Sequence, residues 1–278
     1  MIKNSTGLKA KVRNIAGGND SVSKAYIRIF FMERFMERVS CSEYKDHFIL
    51  KGGMLVASLL GISIRATMDI DTTVKALPLT QADIERIISE ICSIELEDNI
   101  SFAITNIETI MDDFDYPGVR VHLEAYLDKL KQPMKIDVST DDVITPDAIE
   151  YEYNLMFEDR TITLNTYNIE TMLAEKSQTI INRGIANTRM RDFYDIYELH
   201  KHTTFSWDIA KAAFVATCKK RDTAFTSEKI ETELEQISQS EGLKNQWEMF
   251  RKKNFFVEDL DYVDLIAEVC KLIRKISQ

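Results

Sequence analysis

Phe48-Ile49-Leu50-Lys51-Gly52-Gly53, an apolar run from Met54 to Leu60, and then Asp69-Ile70-Asp71-Thr72-Thr73-Val74 decide how this chain is read. Residues 48–50 form a short apolar strand that runs directly into two glycines. Residues 54–60 read as a helix that stops at Gly61. Glycines at a strand-to-helix turn let backbone N–H groups lie against a bulky anion, and the helix N-terminus adds donors and its positive dipole end. A lone Gly-Gly pair is ordinary turn punctuation, so the weight falls on the acidic residues downstream of it.

Asp69 and Asp71 come sixteen and eighteen residues after Gly53. Positions two apart in a strand face the same side, so the two carboxylates converge while Ile70 points into the core. Two anions this close raise each other's proton affinity unless a cation sits between them. Mg²⁺ prefers such oxygen ligands and bridges carboxylates to phosphates. A third acid, Asp137, lies in the alternating stretch Met134-Lys135-Ile136-Asp137-Val138-Ser139 and is a candidate metal ligand from a neighbouring strand. An exposed polar strand face is the plainer reading of Asp137 taken alone.

Outward from this core, residues 21–40 read as an amphipathic helix with Asp20 or Ser21 as its cap. Residues 80–91 form another helix, and 119–127 alternate as a half-buried strand. Gln132-Pro133 reads as a break between strands. Past Tyr167 nearly everything is helical in pattern, to about Ile276. The expected fold is therefore α+β: a domain over residues 1–160 with a sheet, then a mostly helical domain over 161–278.

Composition narrows the function. The 278 residues carry 45% apolar and 29% charged side chains and a net charge of −10, which argues against a general nucleic-acid coat. Lys129, Lys131 and Lys135, then Lys219-Lys220-Arg221, then Arg251-Lys252-Lys253 remain candidates for a local basic groove, each more commonly a solvated surface. No apolar run spans a bilayer and no secretory leader is evident, so a cytoplasmic location without membrane contact is expected. Cys41, Cys92, Cys218 and Cys270 form no metal or disulfide pattern, and Cys41 and Cys92 read as small core residues. His200 and His202 are two apart on a helix and make a poor metal pair.

A glycine pair, a helix, D-x-D and a later strand aspartate, in that order, resemble the core of a polymerase-β-like nucleotidyltransferase. Phe48 to Gly53 followed by Arg65-Ala66-Thr67-Met68-Asp69-Ile70-Asp71 resembles the "LKGG … R-x-[ST]-x-DID" core of AbiEii/AbiGii-type toxins. Glu33-Arg34-Phe35 and Arg38-Val39-Ser40 resemble that family's leading helix. The resemblance implies a polymerase-β-like domain with a mixed sheet and a toxin of a toxin–antitoxin or abortive-infection system. It implies transfer of a nucleotide from NTP with Mg²⁺ or Mn²⁺, plausibly to a tRNA 3′ end, under a cognate antitoxin. Asp69, Asp71 and Asp137 would hold the metal, and Lys51, Gly52, Gly53, Arg65 and Thr67 the nucleotide.

The family's downstream lysine and R/K-D-x-x-D segment match Lys176 and Arg191-Asp192-Phe193-Tyr194-Asp195. Residue chemistry supports this separately. In the helix read over 169–182, Lys176 falls inside the stripe of Ile169, Met172, Leu173, Ile180 and Ile181. An inward lysine is costly unless paired or bound to an anion. Asp192 and Asp195, three apart on one helix face, suggest an interior pair with a cation such as Lys176 or Arg191. Lys176 and Asp192 are taken as catalytic alongside Asp69 and Asp71, Asp195 as packing, and Lys176→Ala is expected to impair nucleotide use more than folding. The competing readings are a protein-modifying transferase or kinase on the same cradle, and a non-catalytic antitoxin-binding module.

Overall fold

The polar start of the chain forms helix α1 (Ser5–Ala16), capped by Asn4, with Leu8, Val12 and Ala16 as its buried edge. The computed structural model describes all residues except 62, 64, 79, 112–116 and 258. Helix α2 (Asp20–Cys41) is next, and its cap is Asn19 rather than Asp20 or Ser21. The Asn19 side chain accepts from the N–H groups of Ser21 and Val22, which leaves Asp20 in the first turn beside the dipole's positive end.

Strand β1 (Phe48–Lys51) turns directly into helix α3 (Gly52–Leu60), and β2 (Ile70–Val74) returns antiparallel beside β1. Helix α4 (Gln81–Cys92) leads to the long strands β3 (Ile100–Met111), β4 (Pro117–Leu127) and β5 (Leu130–Thr140). Gln132-Pro133 lies inside β5, not between strands. The turn falls earlier, at Asp128-Lys129, because Leu127 pairs with Leu130 and Asp128 takes a left-handed φ of 52°. Strands β6 (Ile149–Asn154) and β7 (Thr161–Thr166) complete a mixed sheet in the order β3-β4-β5-β2-β1-β7-β6. Its β2–β5 and β1–β7 pairs are parallel and the remaining pairs antiparallel.

Alternation along β4 buries Val119, Val121, Leu123, Ala125 and Leu127 and leaves Arg120, His122, Glu124 and Tyr126 half-buried. Helix α2 packs against β5 and β7, and α4 against β3 and β4. The family-like residues of α2 are structural. Arg38 donates to both Asp98 oxygens at 2.9 and 3.0 Å and to the Ile100 carbonyl at 2.8 Å, all buried. Arg34 bridges Glu37 and Glu158 at 3.0 and 3.2 Å. Both guanidiniums meet carboxylates inside the core, and Glu37 and Glu158 also pair with Arg160.

Glu33 is the exception in this network. Burial pushes its carboxyl up to about 8, although the Met156 N–H, the Arg34 charge and the Tyr153 hydroxyl partly oppose it. The folded protein therefore holds the Glu33 proton between the unfolded value of 4.5 and about 8. This contribution to stability is complete below the lower value and is lost as pH rises through the upper one. Glu33→Gln keeps an acceptor for Met156 and cannot ionise. The expected result is that thermal melts of wild type and Glu33→Gln diverge from about pH 5 to about pH 8, the variant melting higher at the alkaline end. Parallel curves would mean that Glu33 titrates normally.

The chain divides into two compact units, residues 1–142 with 149–166, and residues 143–148 with 167–278. The second is helical: α5 (Ile169–Arg183), α6 (Met190–His202), α7 (Trp207–Lys220), α8 (Ser227–Gln239), α9 (Glu241–Lys253) and α10 (Tyr262–Ile276). Helix α5 packs on α6 and α7, and α10 on α6, α7 and α8. Trp247 is fully buried, with its Nε1 donating to the Leu260 carbonyl at 3.0 Å. Among the described residues, no helix is long and apolar enough to cross a membrane.

Candidate active site

Sheet register brings the first unit's charged residues into one row. Lys51 on β1 stands opposite Asp71 on β2, and Asp71 opposite Asp137 on β5. Asp137 in turn faces Arg120 on β4, and Arg120 faces Glu108 on β3. Residues directly opposed across strands share a face of the sheet. The two central acids are thus flanked by a cation on each side. Asp69 lies one residue before β2 and is partly exposed, while Ile70 is fully buried.

Asp71 carries the electrostatic strain of this row. Burial, then the Asp137 charge, and last Asp69 raise its carboxyl to about 6, against a hydrogen bond from the Gly53 N–H and the charge of Lys51. That N–H donates to Asp71 Oδ2 at 3.2 Å. An acid pair that raises its own proton affinity is a setting that a divalent cation relieves, and carboxylate oxygen is the donor type Mg²⁺ and Mn²⁺ accept. Asp69 and Asp71 are the carboxylates that could hold such an ion, which would supply charge neutralisation for a triphosphate. Among the described residues, no three acidic, His or Cys side chains already stand together as an ion site. Asp137 is instead held by Arg120, whose Nε and Nη2 donate to its two oxygens at 2.7 Å each.

The glycines have a tighter role than the sequence suggests. Gly52 adopts φ +65°, and a Cβ there would lie 2.1 Å from Asp71 Oδ2. A Cβ on Gly53 would lie 2.5 Å from Thr67 Oγ1 and 3.0 Å from Arg65 Nη2. Their missing side chains make room for this chain's own Asp71, Thr67 and Arg65. Gly52→Ala should therefore combine left-handed backbone strain of ~1–2 kcal/mol with displacement of the Asp71 carboxylate. The expected outcome is a lower urea midpoint together with weakened nucleotide binding. A variant as stable as wild type with intact binding would show that the turn tolerates a side chain.

The remaining candidates of this unit are engaged within it. Lys51 Nζ donates to Ser139 Oγ at 2.8 Å and to Asp142 Oδ2 at 2.5 Å. Thr67 Oγ1 donates to the Asp69 carbonyl at 3.2 Å, and buried Arg65 donates to the Ala66 carbonyl. Neither Arg120 nor Asp142 is singled out by the sequence, where both read as ordinary surface charges.

In the second unit, Lys176 on α5 meets Asp192 Oδ1 at 2.7 Å and Asp195 Oδ2 at 2.9 Å, both on α6. Asp195 is fully buried, whereas Asp192 and Lys176 are each 14% exposed. Burial would depress the Lys176 ammonium, but the charges of Asp192 and Asp195 outweigh it and hold it above its ordinary value. The inward lysine is thus paired by two acids. His200 and His202 go to different carboxylates, Glu268 at 2.9 Å and Glu198 at 3.3 Å. Arg221 donates to Gln178 at 2.6 Å and to Thr179 at 3.1 Å, so it is not a loose basic groove. Cys41 is exposed, contrary to its reading as core; it is the last residue of α2, on the opposite side of the chain from buried Val39 and Ser42. Burial raises the Cys92 thiol to about 12.

Comparison with known proteins gives the family of the chain. The model of a family described as "Nucleotidyl transferase AbiEii toxin, Type IV TA system" matches residues 34–269. The crystal structure of JHP933 from Helicobacter pylori superposes with a TM-score of 0.53 at 15% identity, covering 91% of this chain and 92% of that one. A second H. pylori structure, described as a candidate nucleotidyltransferase, gives 0.48 at 15% identity, with 91% and 95% covered. An antigenic nucleotidyltransferase-like protein from Paracoccidioides brasiliensis gives 0.37 at 14% identity, with 79% and 90% covered. These likenesses concern the fold. No curated protein matches the chain.

Proposed function

This chain belongs to the AbiEii family of nucleotidyl transferase toxins of type IV toxin–antitoxin systems, and we propose that it transfers a nucleotide from NTP to an RNA acceptor, a tRNA 3′ end. The observation that carries this reading is the opposed pair Asp71 and Asp137, with Gly52 shaped around Asp71. Asp69 and Asp71 are the metal-holding carboxylates of the proposal, and Asp137 the third. Mg²⁺ or Mn²⁺ would supply neutralisation of triphosphate charge when bound. The α3 N-terminus would offer a nearby phosphate its positive dipole end, with the Gly53 N–H already held by Asp71. Lys51, Arg65 and Thr67 would shape the turn against which the nucleotide lies.

For Lys176 the proposed role is a compact positive charge for phosphate, with Asp192 orienting its ammonium. The wider helical unit would set acceptor choice. A cognate antitoxin is the expected regulatory partner, and a site in the cytoplasm the expected setting for a tRNA acceptor.

Labelled nucleotide distinguishes the reaction classes. Incubation with total RNA, Mg²⁺ and each NTP labelled at the α-phosphate is expected to label small RNA with one nucleotide, while γ-label transfers nothing. Label passing from the γ-phosphate to protein would overturn this reading in favour of a kinase. No transfer of either label in the presence of lysate would favour a binding module.

A further inference from the structure

Arg120 has no part in the metal and nucleotide roles proposed above, yet it is the residue in closest contact with Asp137. The two sit opposite one another one pair in from the end of the β4–β5 ladder farthest from its turn. Arg120 Nε donates to Oδ1 and Nη2 to Oδ2, each at 2.7 Å, so both Asp137 oxygens are taken side-on. Such a bidentate fork is among the stronger side-chain contacts and matches carboxylate geometry. The guanidinium also lies within the electrostatic reach of Asp69 and Glu108.

We propose that Arg120 is a resident counter-cation for Asp137, which a divalent ion must displace before that carboxylate becomes a ligand. This inference rests on the nucleotidyltransferase reading of the site. Three features support it. Asp137 stands directly opposite Asp71, so a cation there neutralises the acid pair when the site holds no metal. The Arg120 and Asp137 side chains are 31% and 22% exposed, so the guanidinium can leave toward solvent without opening the core. The flanking residues Val119, Val121, Ile136 and Val138 are all buried and fix the two strands, which confines any change to side-chain rotation. A metal alone competes against a pre-formed ion pair. A metal that arrives with a triphosphate has additional anionic oxygens to offset the exchange. The bridge thereby makes stable metal binding conditional on nucleotide.

Manganese binding, followed through the electron-spin resonance of the free ion, tests this without requiring turnover. Without nucleotide, Arg120→Met should bind Mn²⁺ roughly three- to tenfold more tightly than wild type, the order expected for removing one partly exposed competitor. With a non-hydrolysable ATP analogue the difference should narrow. Arg120→Lys keeps the charge but reaches one oxygen at a time, and should fall between the two. Thermal melts of both variants show that folding is retained. An Arg120→Met that folds as wild type does but binds Mn²⁺ equally or more weakly overturns the proposal. Asp71→Asn separates this from failure of the site reading. If Asp71→Asn leaves Mn²⁺–nucleotide affinity unchanged, the metal-site reading falls and takes the proposal with it. If Asp71→Asn weakens that affinity while Arg120→Met changes nothing, only the Arg120 proposal falls.

Discussion

Asp71→Asn is expected to lower nucleotide transfer about a hundredfold or more while leaving the protein at least as heat-stable as wild type. The two halves of this expectation come from the same observation. Burial and the neighbouring Asp137 charge push the Asp71 carboxyl up to about 6, so its ionised form is held at a cost in the folded state. An amide removes that cost and can still accept the Gly53 N–H at Oδ1. It cannot supply the negative oxygen on which metal-assisted charge neutralisation depends. In a bacterial host, unrestrained expression of the wild type should slow growth, and Asp71→Asn expressed at the same level should not. A well-folded Asp71→Asn that arrests growth as strongly as wild type would place the harm in binding alone.

Lys176→Ala is the second large effect. The sequence reading expects an inward lysine bound to an anion or paired with Asp192 and Asp195, and its loss to impair nucleotide use more than folding; the observed pairing adds a substantial cost in stability. In the folded chain its ammonium lies 2.9 Å from an Asp195 carboxylate that is 0% exposed. Removing the lysine breaks an ion pair to a carboxylate in the core, a change that costs ~3–5 kcal/mol. This matches the ~2–5 kcal/mol expected for the cavity left by Ile180→Ala on the same helix. Urea melts should therefore show both variants strongly destabilised. Combining Lys176→Met with Asp195→Asn removes both charges of the broken pair and should recover part of the loss. If the double variant is folded and still fails to transfer nucleotide, Lys176 serves chemistry as well as structure. If it transfers normally, the lysine is structural.

The parts legible in the sequence were those encoded locally. Residues 119–127 alternate because one face of β4 is buried, and the glycines with D-x-D mark the β1–α3–β2 unit by spacing alone. Strands β6 and β7 are six residues each, with a Tyr/Glu or Thr-rich alternation too short to stand out against turn-like neighbours. Helix α1 has only three buried positions in a polar stretch. The Arg120 bridge was illegible for a different reason. An arginine on the polar side of a strand reads as solvated, and only the order β4-β5-β2 reveals that its partner is the acid beside Asp71. Likewise, the need for Gly52 arises from β1 pairing antiparallel with β2, which aims the Asp71 side chain at the turn. Contacts across strands depend on register, which single-strand periodicity does not carry.

The position of the ion beside its nucleotide decides whether Asp69 and Asp71 hold the metal. Crystals grown with Mn²⁺ and a non-hydrolysable NTP analogue allow the metal to be placed by its anomalous scattering. The account predicts Mn²⁺ about 2.2 Å from a carboxylate oxygen of Asp71, with Asp69 beside it and phosphate oxygens of the same nucleotide completing its coordination. A nucleotide bound elsewhere, or a metal–phosphate complex that touches neither Asp69 nor Asp71, would contradict it.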